Sequence, residues 1–299
     1  MNNFSFSRFG KTLRWVVAVN FRSLLMWTVG SALGVFLYEM MMQVIVSWKN
    51  PFYMVSGIAD VGEAFLTIAS VVFICSVVSS ISDKRKRTTF LMLPSTNLEK
   101  YLSQVFYVTV VCVLCMFLAF VVGDMLRMAW FWGSHVLSGD EAVGTVQEFN
   151  GVEETYYFWS SSVRLTLSRL IPRLIMVWGS GIWWTWANEW STLIFHVVLA
   201  VWVHSVYTLG GTLLRKYAFA ITTVVLLAGI FLFDKVSDSL DMPVYNWVGH
   251  VLCGITGTGV VLCFVLLLSS ILNYRASFRI FKHFELITNK WTNYDILKR

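Results

Sequence analysis

Charge is what this sequence has least of. Asp, Glu, Lys and Arg together make up 13% of its 299 residues, against 57% hydrophobic residues, and mean hydropathy is +0.67. A soluble domain carries roughly 25% charged residues because it needs a polar skin. This chain has too little polar surface to face water on all sides and must be solvated mostly by lipid. Proline is scarce too, with four residues, and together with long apolar runs that excludes a disordered or fibrous chain. A cleavable leader is also missing from the pattern. Arg8, Lys11, Arg14 and Arg22 interrupt the first apolar residues and no small-residue cleavage site follows, so the N-terminus is expected to be retained.

What is present is a set of six apolar runs, over 24–46, 61–82, 105–126, 191–213, 217–233 and 248–272. About 20 residues are needed to cross a ~30 Å hydrocarbon core. The expectation is therefore an all-α, polytopic membrane protein with six transmembrane helices forming one domain over 24–272. Basic residues orient it. With the N-terminus in the cytoplasm, the cytoplasmic pieces are 1–23, 83–104, 214–216 and 273–299. They hold four, five, two and six of the 23 Lys and Arg but only Asp83, Glu99, Glu285 and Asp295 among the 17 acids. The formal charge of +6 is thus an orientation signal, and nucleic acid is excluded as a partner. Lys84, Arg85, Lys86 and Arg87, directly after the second run, carry most of that signal. Both termini are expected in the cytoplasm of a cell bounded by an inner membrane.

Residues 165–187 form a further apolar stretch. A crossing there would place either Lys84–Arg87 or Arg215-Lys216 on the wrong side, and Arg169, Pro172 and Arg173 disfavour a lipid-facing helix. It is expected to be an interfacial or re-entrant element within the outer segment 127–190. Eight of the 14 tryptophans lie in that segment, as suits a residue that prefers the membrane–water boundary. The polar part, about 133–158, is too short for an independent domain.

On the inner side, residues 1–23 are amphipathic. Leu13, Val16, Val17 and Phe21 recur at helical spacing beside Arg8, Lys11, Arg14 and Arg22, the pattern of a helix lying in the inner interface. The segment 83–104 contains a helix stop and a helix start: Pro94 breaks the chain, and Thr96 with Glu99 forms a capping box. The helix so begun carries Leu98, Leu102 and Val105 on one side and runs into the third span. A short connection needs neither a cap nor this length, so the segment is expected to be a structured protrusion that touches a partner. Residues 273–299 form a basic tail.

The stretch Leu91-Met92-Leu93-Pro94-Ser95, followed by Leu98-Glu99-Lys100, resembles the first cytoplasmic loop of compact six-span permease subunits of bacterial ABC exporters. The order of elements is similar, as is the Arg215-Lys216-Tyr217-Ala218-Phe219 junction between spans four and five. The resemblance implies a permease with no ATP site of its own. A separate cytoplasmic ATPase would dock on Leu93, Pro94, Ser95, Thr96, Leu98, Glu99 and Lys100, and a second permease copy, identical or paralogous, would complete the transporter. The chain itself offers only Gly10-Lys11-Thr12 as an echo of a phosphate loop, and Ser5 stands where that motif needs glycine.

Other candidate chemistry is sparse. Cys75, Cys112, Cys115, Cys253 and Cys263 all fall within the runs and are expected to be small packing residues. His196 and His204 lie within ~80° of each other on one helix. Hydrogen bonding to neighbouring helices, or lining of a wet translocation path, is expected of them rather than haem ligation, for which His250 is the one partner on another span. Glu39, Glu63 and Asp124 sit toward the outer ends of their spans, with Arg127 one turn from Asp124, and are expected either to line an outer vestibule or to reach headgroup water. Gly30 and Gly34 in span one, and Gly254 and Gly257 in span six, allow close helix approach. Glu153-Glu154 lacks the arginine of the prenyl-protein protease motif, since Phe158 occupies that position, and no H-E-x-x-H occurs. No cofactor, metal or catalytic residue is expected. The alternative class is a multi-pass structural, assembly or immunity-type protein without an ATPase.

Overall fold

The computed structural model describes residues 4–46, 50–78, 84–139, 144–149, 152–168, 186–214, 217–239 and 257–282. Its elements are α1 (Phe6–Val46), α2 (Pro51–Cys75), α3 (Lys84–Met92), α4 (Asn97–Phe106), a π-helical turn (Tyr107–Val111) and α5 (Cys112–Ser138). A hairpin of β1 (Thr145–Phe149) and β2 (Val152–Tyr156) follows, then a short helix α6 (163–168), α7 (Trp186–Leu213), α8 (Ala218–Ser239) and α9 (Gly257–Lys282). Four helical stretches among the described residues are long and apolar enough to cross a membrane: Phe6–Gln43, Pro51–Cys75, Asn97–Ser138 and Val261–Lys282. The protein is therefore a mostly helical, multi-pass membrane protein. The fourth and fifth runs are helical as well, in α7 and α8, but their apolar described parts, Val197–Leu213 and Ala218–Gly229, are shorter.

The helices depart from the sequence boundaries in instructive ways. The amphipathic segment and the first span are one uninterrupted helix of 41 residues, because no proline stands anywhere along it. The third span belongs to a helical stretch of 42 residues, about 63 Å at 1.5 Å per residue, twice what the hydrocarbon core requires. The second begins ten residues early, at Pro51, a residue suited to a first helical position, and ends at Cys75. The basic run enters α3 rather than a solvated loop, with Arg87 buried. The basic tail starts as helix, since Arg275, Arg279 and Lys282 lie on α9. Most of the expected re-entrant stretch, residues 169–185, lies outside the described residues, as do 248–256 of the sixth run and 283–299 of the tail.

The hairpin is the element the sequence reading lacks. Its strands pair antiparallel from Thr145↔Tyr156 to Phe149↔Val152, leaving Asn150-Gly151 between them, the dipeptide most favoured for two-residue hairpin loops.

The described residues form two compact units. The first draws its described residues from 1–19, 71–109 and 171–299; the second, from 20–70 and 110–170. In the first, α7 packs along α9, with α8 against α7 and α4 against α9. Ile74, Cys75 and Tyr207 form its buried apolar cluster, flanked by Val203, Phe219 and Leu226. Helices approach closely there at Gly211, where an added Cβ would run into the carbonyl oxygen of Cys75, and at Gly210 against Thr222. In the second unit the N-terminal half of α2 packs under the hairpin and α6 through Val55, Ala59, Tyr156 and Leu165. Gly62 lies against Phe120, and Gly123 against Val35. The glycines chosen from sequence behave differently. A Cβ at Gly30 or Gly34 would meet nothing within 4 Å; Gly257 opens α9, and Gly254 lies outside the described residues.

Candidate functional site

Two constellations stand out, one in each unit. In the first unit, α3 ends at Met92 and three bent residues, Leu93, Pro94 and Ser95, lead to the Thr96 cap of α4. Both halves of the capping box form: the Glu99 amide donates to Thr96 Oγ1 at 3.2 Å, and the Thr96 amide donates to Glu99 Oε2 at 2.8 Å. The Glu99 carboxylate is fully buried and does more than cap. It also accepts from the Ser5 amide at 2.7 Å and from Arg8, whose Nη2 lies 3.0 Å from Oε1. One carboxylate therefore fastens the start of α4 to the start of α1. A buried carboxylate is stable only when its lone pairs are filled by donors, and here backbone and guanidinium fill them.

Lys100 is held from the other side, its Nζ donating to the Leu91 carbonyl at 2.7 Å. Glu99 and Lys100 are therefore buried supports of the loop. Its exposed surface consists of Leu91, Met92, Pro94, Asn97 and Leu98, with Leu93, Ser95 and Thr96 half-buried. Beneath it, Phe90 is fully buried between Trp15 and Phe281, at ring distances of 5.8 and 6.2 Å. Tyr101 stacks edge-on against Phe278 and Phe281 and donates to Ser277 Oγ at 3.0 Å. Of the four basic residues before the loop, Arg85 is exposed, Lys86 half-buried and Arg87 buried, while Lys84 opens α3.

A ladder of interhelical hydrogen bonds joins α7 to α9. Trp202 donates to Ser269 at 3.2 Å, Asn273 to Ser205 at 3.1 Å, and Thr212 to Ser277 at 3.1 Å. His204 shares Nδ1 with the Tyr274 hydroxyl at 2.5 Å and Nε2 with Thr109, in the π-helical turn, at 2.9 Å. Both ring nitrogens are thus engaged by neighbouring helices. His250 and the side chain of His196 lie outside the described residues. Cys75, Cys112 and Cys263 are buried and Cys115 half-buried, all as free thiols.

The second constellation surrounds Arg127. Its guanidinium is completely buried and satisfied in several directions. Nη2 donates to Asp124 Oδ1 and to the Ser160 carbonyl, both at 2.6 Å. Nη1 donates to the Phe158 carbonyl at 2.7 Å, and Nε to Asp124 Oδ1 at 3.1 Å. Asp124 in turn accepts from Ser161 Oγ at 2.8 Å and from the Ser162 amide and hydroxyl at 3.0 Å. The turn after β2 is thereby wrapped around the Asp124–Arg127 pair. Glu39 comes within 3.3 Å of Arg127 Nε, yet neither of its oxygens accepts a hydrogen bond from a described residue.

All three acids are buried, Glu39 at 1%, Asp124 at 0% and Glu63 at 9% exposure, and Glu39 borders a cavity. Sequence reasoning paired Asp124 with Arg127 but missed Ser160, Ser161 and Ser162. Three consecutive serines after the hairpin were the available signal, since serine hydroxyls and the amides beside them are natural partners for a carboxylate. Nearby, Glu154 accepts from Tyr156 at 2.8 Å and pairs with Arg164. The Tyr156 hydrogen bond comes first and the Arg164 contact second in holding its carboxyl below the usual range. It forms part of an ion pair at the protein surface.

No family model, curated protein or solved structure matches this chain.

Proposed function

We propose that the chain is the transmembrane permease subunit of an ATP-driven exporter. It crosses the inner membrane six times with both termini in the cytoplasm, pairs with a second permease copy, and is driven by a separate cytoplasmic ATPase docking on the loop around Pro94. One observation carries this conclusion: Glu99 belongs at once to the cap of α4 and to an ion pair with Arg8 on α1. A displacement applied to the loop is thus delivered to the first helix through a half-buried charge pair, and to α9 through Phe90–Phe281 and Tyr101–Ser277. A loop held so firmly from behind presents Met92, 79% exposed, and Leu98, 42% exposed, at its surface, as a lever with an apolar contact face would.

The test is affinity purification of the full chain from its native membrane. An ATPase carrying a phosphate-binding loop should co-purify, and M92E with L98E should lower its transport-linked ATP hydrolysis at least tenfold while the chain stays folded. If no ATPase co-purifies and both variants behave as wild type, the exporter assignment fails in favour of a structural, assembly or immunity-type protein.

A further inference from the structure

The second unit holds a cavity of about 260 Å³ between α1, α2 and α5. Val35, Ile58, Phe65 and Phe120 make most of its wall apolar, and Ser31, Tyr38 and Glu39 are its polar members. Gly34 alone among the lining residues is exposed, and it marks the mouth.

Glu39 is chemically incomplete. The neighbouring Arg127 spends its hydrogen bonds on Asp124 and two carbonyls, and Asp124 has five donor contacts of its own. Glu39 lies at ion-pair distance from Arg127 with no donor to either oxygen. Two carboxylates thus share one guanidinium, and the one that forms part of the cavity wall is the one left unsatisfied. A buried carboxylate without donors is costly, so the position favours an occupant that brings both positive charge and N–H donors.

The wall narrows the class further. A hard inorganic cation wants six or more oxygen ligands, and Ser31, Tyr38 and Glu39 cannot supply them. An anion is repelled by Glu39, and a neutral apolar molecule leaves its oxygens without a donor. Aromatic faces such as Phe65 and Phe120 accept an apolar body or the flank of a cation. A 150 Å³ apolar cavity takes benzene, so this volume holds roughly ten non-hydrogen atoms.

We propose that the cavity is a binding site for a small amphipathic primary amine, its ammonium paired with Glu39 and its apolar body lying against Phe65, Phe120 and Val35. The site does not depend on an ATPase partner, so its success or failure is separable from the exporter assignment.

The test uses the full chain in lipid nanodiscs and equilibrium dialysis of radiolabelled phenethylamine, with 2-phenylethanol as the neutral isostere. Wild type should bind the amine saturably, one per chain, and at least tenfold more tightly than the alcohol. Glu39→Gln should weaken amine binding tenfold or more and leave the alcohol unaffected. Gly34→Leu leaves the ionic cluster unaltered and places a side chain at the mouth, where a Cβ meets nothing within 4 Å; it should abolish saturable binding with thermal stability retained. Non-saturable uptake by wild type, equal affinity for amine and alcohol, or unchanged binding in folded Gly34→Leu each overturns the proposal. If either variant fails to fold, the comparison of amine with alcohol on wild type decides.

Discussion

Arg127 shows how much of one side chain's role depends on what surrounds it. On a bare helix, Asp124 and Arg127 would be an ordinary i,i+3 pair, worth a few tenths of a kcal/mol. Buried and bonded to the carbonyls of Phe158 and Ser160, Arg127 becomes the centre that ties the turn after β2 to α5. Removing one member of a buried pair leaves the other charge uncompensated, at about 3–5 kcal/mol. Arg127→Leu is therefore expected to lower the thermal stability of the purified protein by an amount in that range. Replacing Asp124 and Glu39 by leucine in the same chain should recover part of the loss, since the uncompensated charges are then gone. Equal stability of Arg127→Leu and wild type in a thermal melt would show that the cluster is hydrated and weak.

At the scale of elements, glycine separates pattern from contact. Gly30 and Gly34 carry the G-x-x-x-G spacing, yet among the described residues nothing packs on their faces. Gly210 and Gly211 have no such spacing, and they are where α7 meets α8 and the end of α2. Gly211→Ala drives a methyl group into the Cys75 carbonyl and is expected to cost about 1–3 kcal/mol, the usual range for overpacking. Gly30→Ala should leave the stability of the isolated subunit unchanged or slightly raised, because alanine is the better helix former. Thermal melts of the two variants side by side check this, and a larger loss at Gly30 than at Gly211 would contradict the packing described. The capped start of α4 is the opposite case. Thr96 and Glu99 announce it in sequence because the interaction is local, whereas the Arg8–Glu99 bond that locks α4 to α1 spans 91 residues and leaves no local trace.

For the molecule as a whole, the partition of bases from acids is the basis of the proposed orientation. In that proposal Met92, 79% exposed, faces the cytoplasm and Val146, 57% exposed in the hairpin, faces the outer side. In a background lacking the native cysteines, Val146→Cys is expected to react with a membrane-impermeant maleimide in intact cells. Met92→Cys should react only after permeabilisation. The reverse pattern would invert the topology and place the Pro94 loop out of an ATPase's reach. Sequence alone determined what depends on composition and short range: residence in lipid, helical spans and the cap at Thr96. The tertiary structure decided what depends on distant partners. It showed that Glu99 is a buried tie rather than a surface contact, that Asp124 and Arg127 lie inside and hold three serines, and that Glu39 borders a cavity without a donor. The physical reason is reach. Hydropathy and capping act within a helical turn or a span, whereas satisfaction of a buried charge is settled by whichever distant backbone and side chains the fold brings to it.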